Sequence, residues 1–260
     1  MILSKLADAA RIRVERAKER QPLQGIKRQA CTMEKGAFAF EHALRGDGMA
    51  FICEVKKASP SKGVIAEEFP YLEIAKEYEA AGAAAISVLT EPEHFLGQDA
   101  YLEEIARTVR TPVLRKDFTV DAYQIYEAKI LGASAVLLIC ALLDTDILKA
   151  YIDICKTLGL SALVEAHSEE ELHAALEAGA TVIGVNNRDL KTFDVDISLC
   201  TRLRPLVPSE ITFVAESGIK TRDDVKRLED AGVDAVLIGE ALMREANKRK
   251  ALDGLRGVIG

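Results

Sequence analysis

No two cysteines in this chain are spaced as CxxC, and no HExxH or comparable histidine pair occurs. The five cysteines, Cys31, Cys53, Cys140, Cys155 and Cys200, are odd in number and widely separated. That pattern excludes a disulfide framework and a zinc site. Most of them sit in apolar runs and are expected to be small buried hydrophobes. The four histidines, His42, His94, His167 and His173, add no metal-ligand spacing, so no metal is expected. Excess positive charge is also missing. A net charge of −7 gives no basic face for nucleic acid, although an acidic shell can still enclose a small basic pocket. No apolar stretch is long enough to cross a membrane. The N-terminal MILSKLADAARIRVERAKER lacks the continuous apolar core of a secretory signal, and a reduced cytoplasmic location is expected. Arg11, Arg13, Arg16, Lys18 and Arg20 alternate with Asp8, Glu15 and Glu19, which reads as a solvated amphipathic helix rather than a membrane or RNA face.

What is present is alternation. The 260 residues are 49% apolar and 29% charged, a globular balance at the usual length of an eight-fold β/α barrel. After residue 48 come eight aliphatic runs, at 50–55, 84–89, 112–116, 135–140, 161–165, 181–186, 212–217 and 234–239. Amphipathic segments such as YLEIAKEYEAAG, DAYQIYEAKILG, EEELHAALEAG and RDDVKRLEDAG separate them. Runs of this kind are parallel strands covered on both faces, joined by crossover helices. A glycine ends the helix before every second strand, at Gly82, Gly132, Gly179 and Gly232, 50, 47 and 53 residues apart. This quarter repeat fits a closed barrel better than an open doubly wound sheet. The fold class is therefore α/β, a (β/α)8 TIM barrel forming a single domain over residues 1–260. Residues 1–48 form an N-terminal helical extension packed on it. The extension reads as a helix over about 2–20, a loop around Gln21–Gly25, a helical stretch around Ala37–Leu44 and a turn at Gly46-Asp47-Gly48.

Active sites of such barrels lie at the C-terminal strand ends, where apolar residues should give way to polar ones. Here they do. Glu54 and Lys56 share one side of the first strand by its two-residue period. Lys116 shares a face with Leu114 on the third strand, and Arg115 points the other way. Glu165 ends the fifth strand, and Asn186 and Arg188 end the sixth. After the seventh come Glu216, Ser217 and Gly218, and Gly239 follows the eighth. Small residues after strands seven and eight suit the backbone amides of a phosphate site. Ser59, in the polar loop after the first strand, could add to it. Lys56, Lys116 and Arg188 roughly balance Glu54, Glu165 and Glu216. This mouth suits acid–base chemistry on a phosphorylated, sugar-like molecule. No nucleophile with its own base and no metal cage is evident.

The segments CEVKKASPSKG, SVLTE with HFLG following, LRKDF, LVEAH, GVNNRDL and AESGI closely resemble indole-3-glycerol phosphate synthase, in the family's order and from the N-terminal helix to about residue 245. The resemblance implies a decarboxylating, dehydrating ring closure of 1-(2-carboxyphenylamino)-1-deoxy-D-ribulose 5-phosphate, without a cofactor. It implies that Lys116 is the general acid at the substrate ketone and that Glu165 is the acid–base residue of the dehydration. Glu54 and Lys56 form its network, with the division of protons among them left open. Lys116 and Arg188 would face the substrate carboxylate, and Asn186, Glu216 and Ser217 would position substrate. Ser59, Gly218 and Gly239 would cradle phosphate. Phe95, Phe118, Leu137, Leu190 and Ile238 would wall the anthranilate ring, with the N-terminal helix over the mouth. Two positions depart from some relatives: Ala58 replaces a basic residue and Glu240 replaces a serine. A monomer is expected, with a small phosphorylated substrate as partner and neither nucleic acid nor membrane. The residues alone also fit a Schiff-base aldolase or sugar-phosphate isomerase using Lys116 or Lys56, or a catalytically silent barrel subunit.

Overall fold

The computed structural model describes residues 2–46, 48–189 and 192–258. Eight parallel strands close into a barrel: β1 (Ala50–Val55), β2 (Ala85–Leu89), β3 (Val113–Lys116), β4 (Ala135–Ile139), β5 (Ser161–Ala166), β6 (Val182–Asn186), β7 (Thr212–Glu216) and β8 (Ala235–Ile238). Each pairs with its neighbour in sequence, and β8 closes on β1 with Ala50 opposite Ala235. Every strand residue except Ala50 and Lys116 is buried, which is why the runs read as continuous apolar text. The glycines before alternate strands all take positive φ, between 80° and 88°, as the repeat predicted.

Alternation along each strand divides the core in two. Ile52, Leu114, Leu137, Leu163, Val182, Val214 and Leu237 fill the barrel interior. Cys53, Val88, Val136, Val164, Ile183, Ala215 and Val236 face the surrounding helices. Two residues beyond the inward Ile52, Leu114, Leu163 and Val214 stand Glu54, Lys116, Glu165 and Glu216. The same parity that packs the lower barrel therefore aims these charges into its upper end.

The extension is helical, but its pattern differs from expectation. Helix α1 spans Ile2–Arg20 as read. The expected loop at Gln21–Gly25 is confined to Gln21 and Pro22, because a second helix, α2 (Leu23–Thr32), starts directly after Pro22. Pro22 has φ −58° and ψ 151°, an extended entry that lets the next residue begin a helix. Its buried face is only Ile26 and Ala30, too short to stand out as a period. Helix α3 covers Ala39–Leu44, two residues short of the expected start, since Phe38 takes a left-handed φ of 53°. Phe40 and Leu44 of α3 are buried within the interior cluster and plug the N-terminal end of the barrel. The preceding strand of loop is tied down by Gly36 and Phe38 N–H groups donating to Leu158 and Gly159 carbonyls at 3.0 and 3.2 Å. Asp47, in the expected turn, lies outside the described residues.

The remaining helices flank the barrel: α4 (Tyr71–Ala80), α5 (Asp99–Thr108), α6 (Ala122–Ile130), α7 (Thr145–Leu158), α8 (Glu169–Glu177), α9 (Ser198–Leu203), α10 (Arg222–Asp230), α11 (Glu240–Met243) and α12 (Lys248–Arg256). Cys53, Cys155 and Cys200 are buried as expected, but Cys140 is only half-buried and Cys31 is exposed on α2; all five are free thiols. Among the described residues no group of side chains is arranged to hold a metal ion, and no helix is long and apolar enough to cross a membrane.

Candidate active site

A cavity of about 960 Å³ opens at the C-terminal strand ends. The inward row of each strand supplies its floor, and the loops after the strands supply its walls. All of the sequence-predicted site residues line it except Leu190, which lies outside the described residues.

Lys116 stands at the centre. Its ammonium lies 3.3 Å from Glu165 Oε2 and 3.3 Å from Glu216 Oε2. Burial works against the charge, but Glu216, Glu165 and Glu54 together raise the Lys116 pKa well above that of an ordinary lysine. The two contacts are equal in length, yet the two carboxylates differ in how firmly they hold a proton. Burial would raise Glu165 too, yet Lys116, His167 and a hydrogen bond from Asn186 hold it below the usual carboxylate range. Glu216 is pushed up to about 7 by burial, against Lys116 and with the help of the neighbouring Glu165 charge. Its Oε1 is buried with no hydrogen-bond partner. The Glu54 carboxylate meets Lys56 at 2.5 Å and accepts from Ser87 Oγ at 3.4 Å. Burial would raise Glu54, but Lys56 and Lys116 hold it down.

Parity also placed Arg115 correctly. It points away from the cavity and pairs with Asp99 and Glu127, both at 2.8 Å. Arg188 lines the cavity, with Nη1 donating to the Phe193 carbonyl at 3.1 Å and its backbone N–H donating to Asn186 Oδ1 at 3.1 Å.

At the far side, Ser217 and Gly218 take successive positive φ values of 66° and 83°. A Cβ on Gly218 would lie 2.4 Å from Val195 Cγ1, so the backbone here can face the cavity only without a side chain. A Cβ on Gly239 would meet Glu54 Oε1 at 2.5 Å and Lys56 Nζ at 2.9 Å. Ser59 sits in a two-residue hairpin pairing Ala58–Ser59 with Gly63–Val64. Lys62, Lys220 and Arg244 also line this side and were not singled out from the sequence. Glu240, where some relatives carry serine, is paired with Arg244 at 3.2 Å, which offsets its negative charge beside the phosphate-side loops.

Phe95 and Phe118 form the aromatic wall, with ring centroids 6.2 Å apart. Leu137 and Ile238 continue it, and Ile2, Leu3 and Leu6 of α1 border the opening. Three residues that the sequence reading missed hold this wall. Glu91, fully buried, accepts the backbone N–H groups of Glu93, His94 and Phe95 at 3.0, 2.7 and 3.0 Å. Asp117 accepts the Phe118 N–H at 2.8 Å and the Thr90 hydroxyl at 2.7 Å. Arg13 of α1 reaches both acids, 3.3 Å from Glu91 and 2.6 Å from Asp117. The only available signal was the acid beside each motif, in SVLTE and LRKDF. The arginine is distant in sequence and carried none.

The family model of indole-3-glycerol phosphate synthase matches residues 3–255. The chain belongs to the indole-3-glycerol phosphate synthase family. Indole-3-glycerol phosphate synthase of Ruminiclostridium cellulolyticum is 59% identical over 258 residues, covering 99% of both chains. That of Endomicrobium trichonymphae is 54% identical over 98% of this chain and all of its own length. The activity is therefore that of the family, a carboxy-lyase of tryptophan biosynthesis. Solved structures match more remotely. Thiamine phosphate pyrophosphorylase from Pyrococcus furiosus aligns with TM-score 0.60 at 19% identity, over 84% of this chain and 96% of its own. KGPDC from Streptococcus mutans aligns at 0.60 and 14%, over 82% and 97%. These likenesses concern the barrel fold alone.

Proposed function

We propose that this cavity closes the ring of 1-(2-carboxyphenylamino)-1-deoxy-D-ribulose 5-phosphate with Lys116 as general acid. The supporting observation is the Lys116 ammonium held at 3.3 Å from each of two buried carboxylates. That setting keeps it protonated at neutral pH, as a proton donor to the ketone oxygen must be. The ring carbon attacks the ketone carbon as the oxygen takes the proton. Carbon dioxide then leaves, and the electron pair of the broken bond restores aromaticity. Glu165 serves the dehydration that follows, with Glu54 and Lys56 beside it. Lys116 and Arg188 face the carboxylate before it departs. Asn186, Glu216 and Ser217 orient the substrate. Phe95, Phe118, Leu137 and Ile238 sandwich the anthranilate ring. Ser59, Gly218 and Gly239 take the phosphate, where small residues let backbone amides approach an anion.

A Schiff-base role for Lys116 would need a neutral amine, which its flanking carboxylates oppose. The chain acts as a monomer: its most exposed large apolar side chains, Val258, Ile12 and Val64, come from separate segments. The test is spectroscopic detection of indole formation from the ketose phosphate. Lys116→Ala should abolish turnover while remaining folded. Retained turnover, or a borohydride-trapped lysine adduct in the parent enzyme, would overturn the assignment.

A further inference from the structure

His167 belongs to none of the roles above, yet it touches the catalytic cluster. It follows β5 directly, and its Nε2 lies 3.3 Å from Glu165 Oε1. On its other side Nδ1 lies 3.3 Å from Glu171 Oε2, which also accepts the His167 backbone N–H at 2.8 Å. Glu171 therefore fixes Nδ1 as the donor and turns Nε2 toward Glu165. Nε2 is buried with no hydrogen bond, so Glu165 is the group it faces. The imidazole stands behind Glu165 and not in the cavity wall. Glu171, in the first turn of α8, is 26% exposed at its side chain and meets solvent. A series of close contacts, each 3.3 Å, thus runs from the surface through Glu171, His167 and Glu165 to Lys116, with the His167–Glu165 step a charge contact that needs only a small reorientation to become a hydrogen bond.

The reaction consumes a proton that must come from solvent. The substrate arrives with a carboxylate and releases neutral carbon dioxide, so each turnover takes up one proton. Lys116 gives one proton to the ketone oxygen. A second must reach the hydroxyl that departs as water, and one returns to a base from the neighbouring carbon as the double bond forms. Two are delivered and one comes back. The difference is drawn from water or buffer. A bound substrate would itself occupy the cavity, whose lining includes the apolar Ile2, Leu3 and Leu6.

We propose that Glu171 and His167 form a proton relay that resupplies Glu165 and Lys116 from solvent during turnover, with His167 acting through Glu165 as a positioning residue. This rests on the roles given above to Lys116 and Glu165. The groups that face the imidazole are Glu165, Glu171 and, more distantly, Glu216, all acidic. The half-buried Cys140 thiol is raised to about 12 by burial and, beyond that, by the same two nearer carboxylates, so it stays neutral. Burial alone would lower the His167 pKa, and the carboxylates raise it above the ordinary value. His167 therefore keeps its proton to higher pH than an ordinary imidazole and loses it as pH rises further.

The test compares His167→Gln, Glu171→Gln and Lys116→Met with the parent. Loss of the relay should lower kcat about tenfold or more, within the range of proton-transfer effects, with little change in KM. The fall of kcat toward alkaline pH that follows His167 deprotonation should disappear in His167→Gln. Added imidazole should restore turnover to His167→Ala. Should His167→Gln fail to fold, Glu171→Gln carries the kcat comparison. Parental kcat and pH profile in both glutamine variants, with Lys116→Met inactive, would refute the relay alone. A kcat loss that imidazole does not restore would also refute it. An active Lys116→Met would instead refute the reading on which it rests.

Discussion

Glu216 lies across Gly184 with no room between them: a Cβ at position 184 would stand 2.3 Å from Glu216 Oε1. The glycine in the middle of β6 is thus what allows the β7 carboxylate to lie inward beside Lys116. Strand glycines often mark such close approaches. Gly184→Ala should displace the carboxylate and lower kcat/KM by roughly 100-fold, as a misplacement of about 1 Å can. The fold should lose only about 1–3 kcal/mol. Steady-state kinetics and a denaturant melt measure both, and an unchanged kcat/KM would contradict the role given to Glu216.

Glu216 also predicts a pH effect on stability. Its folded-state pKa of about 7 exceeds the ordinary 4.5. The folded chain therefore holds this proton more tightly than the unfolded chain. That contribution is complete below about 4.5 and is lost as pH rises through about 7. Glu216→Gln mimics the protonated form and removes the loss. Relative to the parent, the variant should gain on the order of a few kcal/mol between pH 5 and pH 8, given about 1.4 kcal/mol per pKa unit. Urea melts at the two pH values would show equal shifts for both proteins if the idea is wrong.

Arg13 joins the extension to the aromatic wall. Arg13→Ala leaves Glu91 and Asp117 buried without that cation, which should cost about 1–3 kcal/mol. Phe95 and Phe118 would then be held less firmly, and KM should rise about tenfold with kcat less affected. Arg13→Lys, a single point charge in place of a forked donor, should recover only part of this. A fall in kcat at constant KM would argue against the wall as the target.

Phe40 tests the opposite end of the barrel. Its ring is wholly buried in the interior cluster, far from the cavity lining. Phe40→Ala should destabilise by about 3–5 kcal/mol through the cavity it leaves. KM, measured below the melting temperature, should stay at the parental value. A marked KM change would mean that the plug and the mouth are coupled through the barrel.

Much of the site was legible because a strand alternates. Once Leu114 and Leu163 were taken as inward, Lys116 and Glu165 had to follow them and Arg115 had to oppose them. The structure bears out each of those directions. Helix α2 was not legible, since Ile26 and Ala30 make too short a period and Pro22 and Gly25 read as loop. The supports were hidden for a different reason. Arg13 meets Glu91 and Asp117 across 78 and 104 positions of chain, and no local pattern encodes such a meeting. Lys62, Lys220 and Arg244 lie on loops or short helices whose course only the assembled barrel defines.

The order of apolar and polar residues by itself determined the eight strands, their closure and the inward row of charges. Those depend on periods of two residues and on glycine-ended helices, which are local properties of the chain. The tertiary structure alone decided which carboxylate keeps its proton, which arginine holds the aromatic wall, and which helix plugs the barrel floor. Each depends on burial and on distances between remote segments, and electrostatic energy changes with both over a few ångströms.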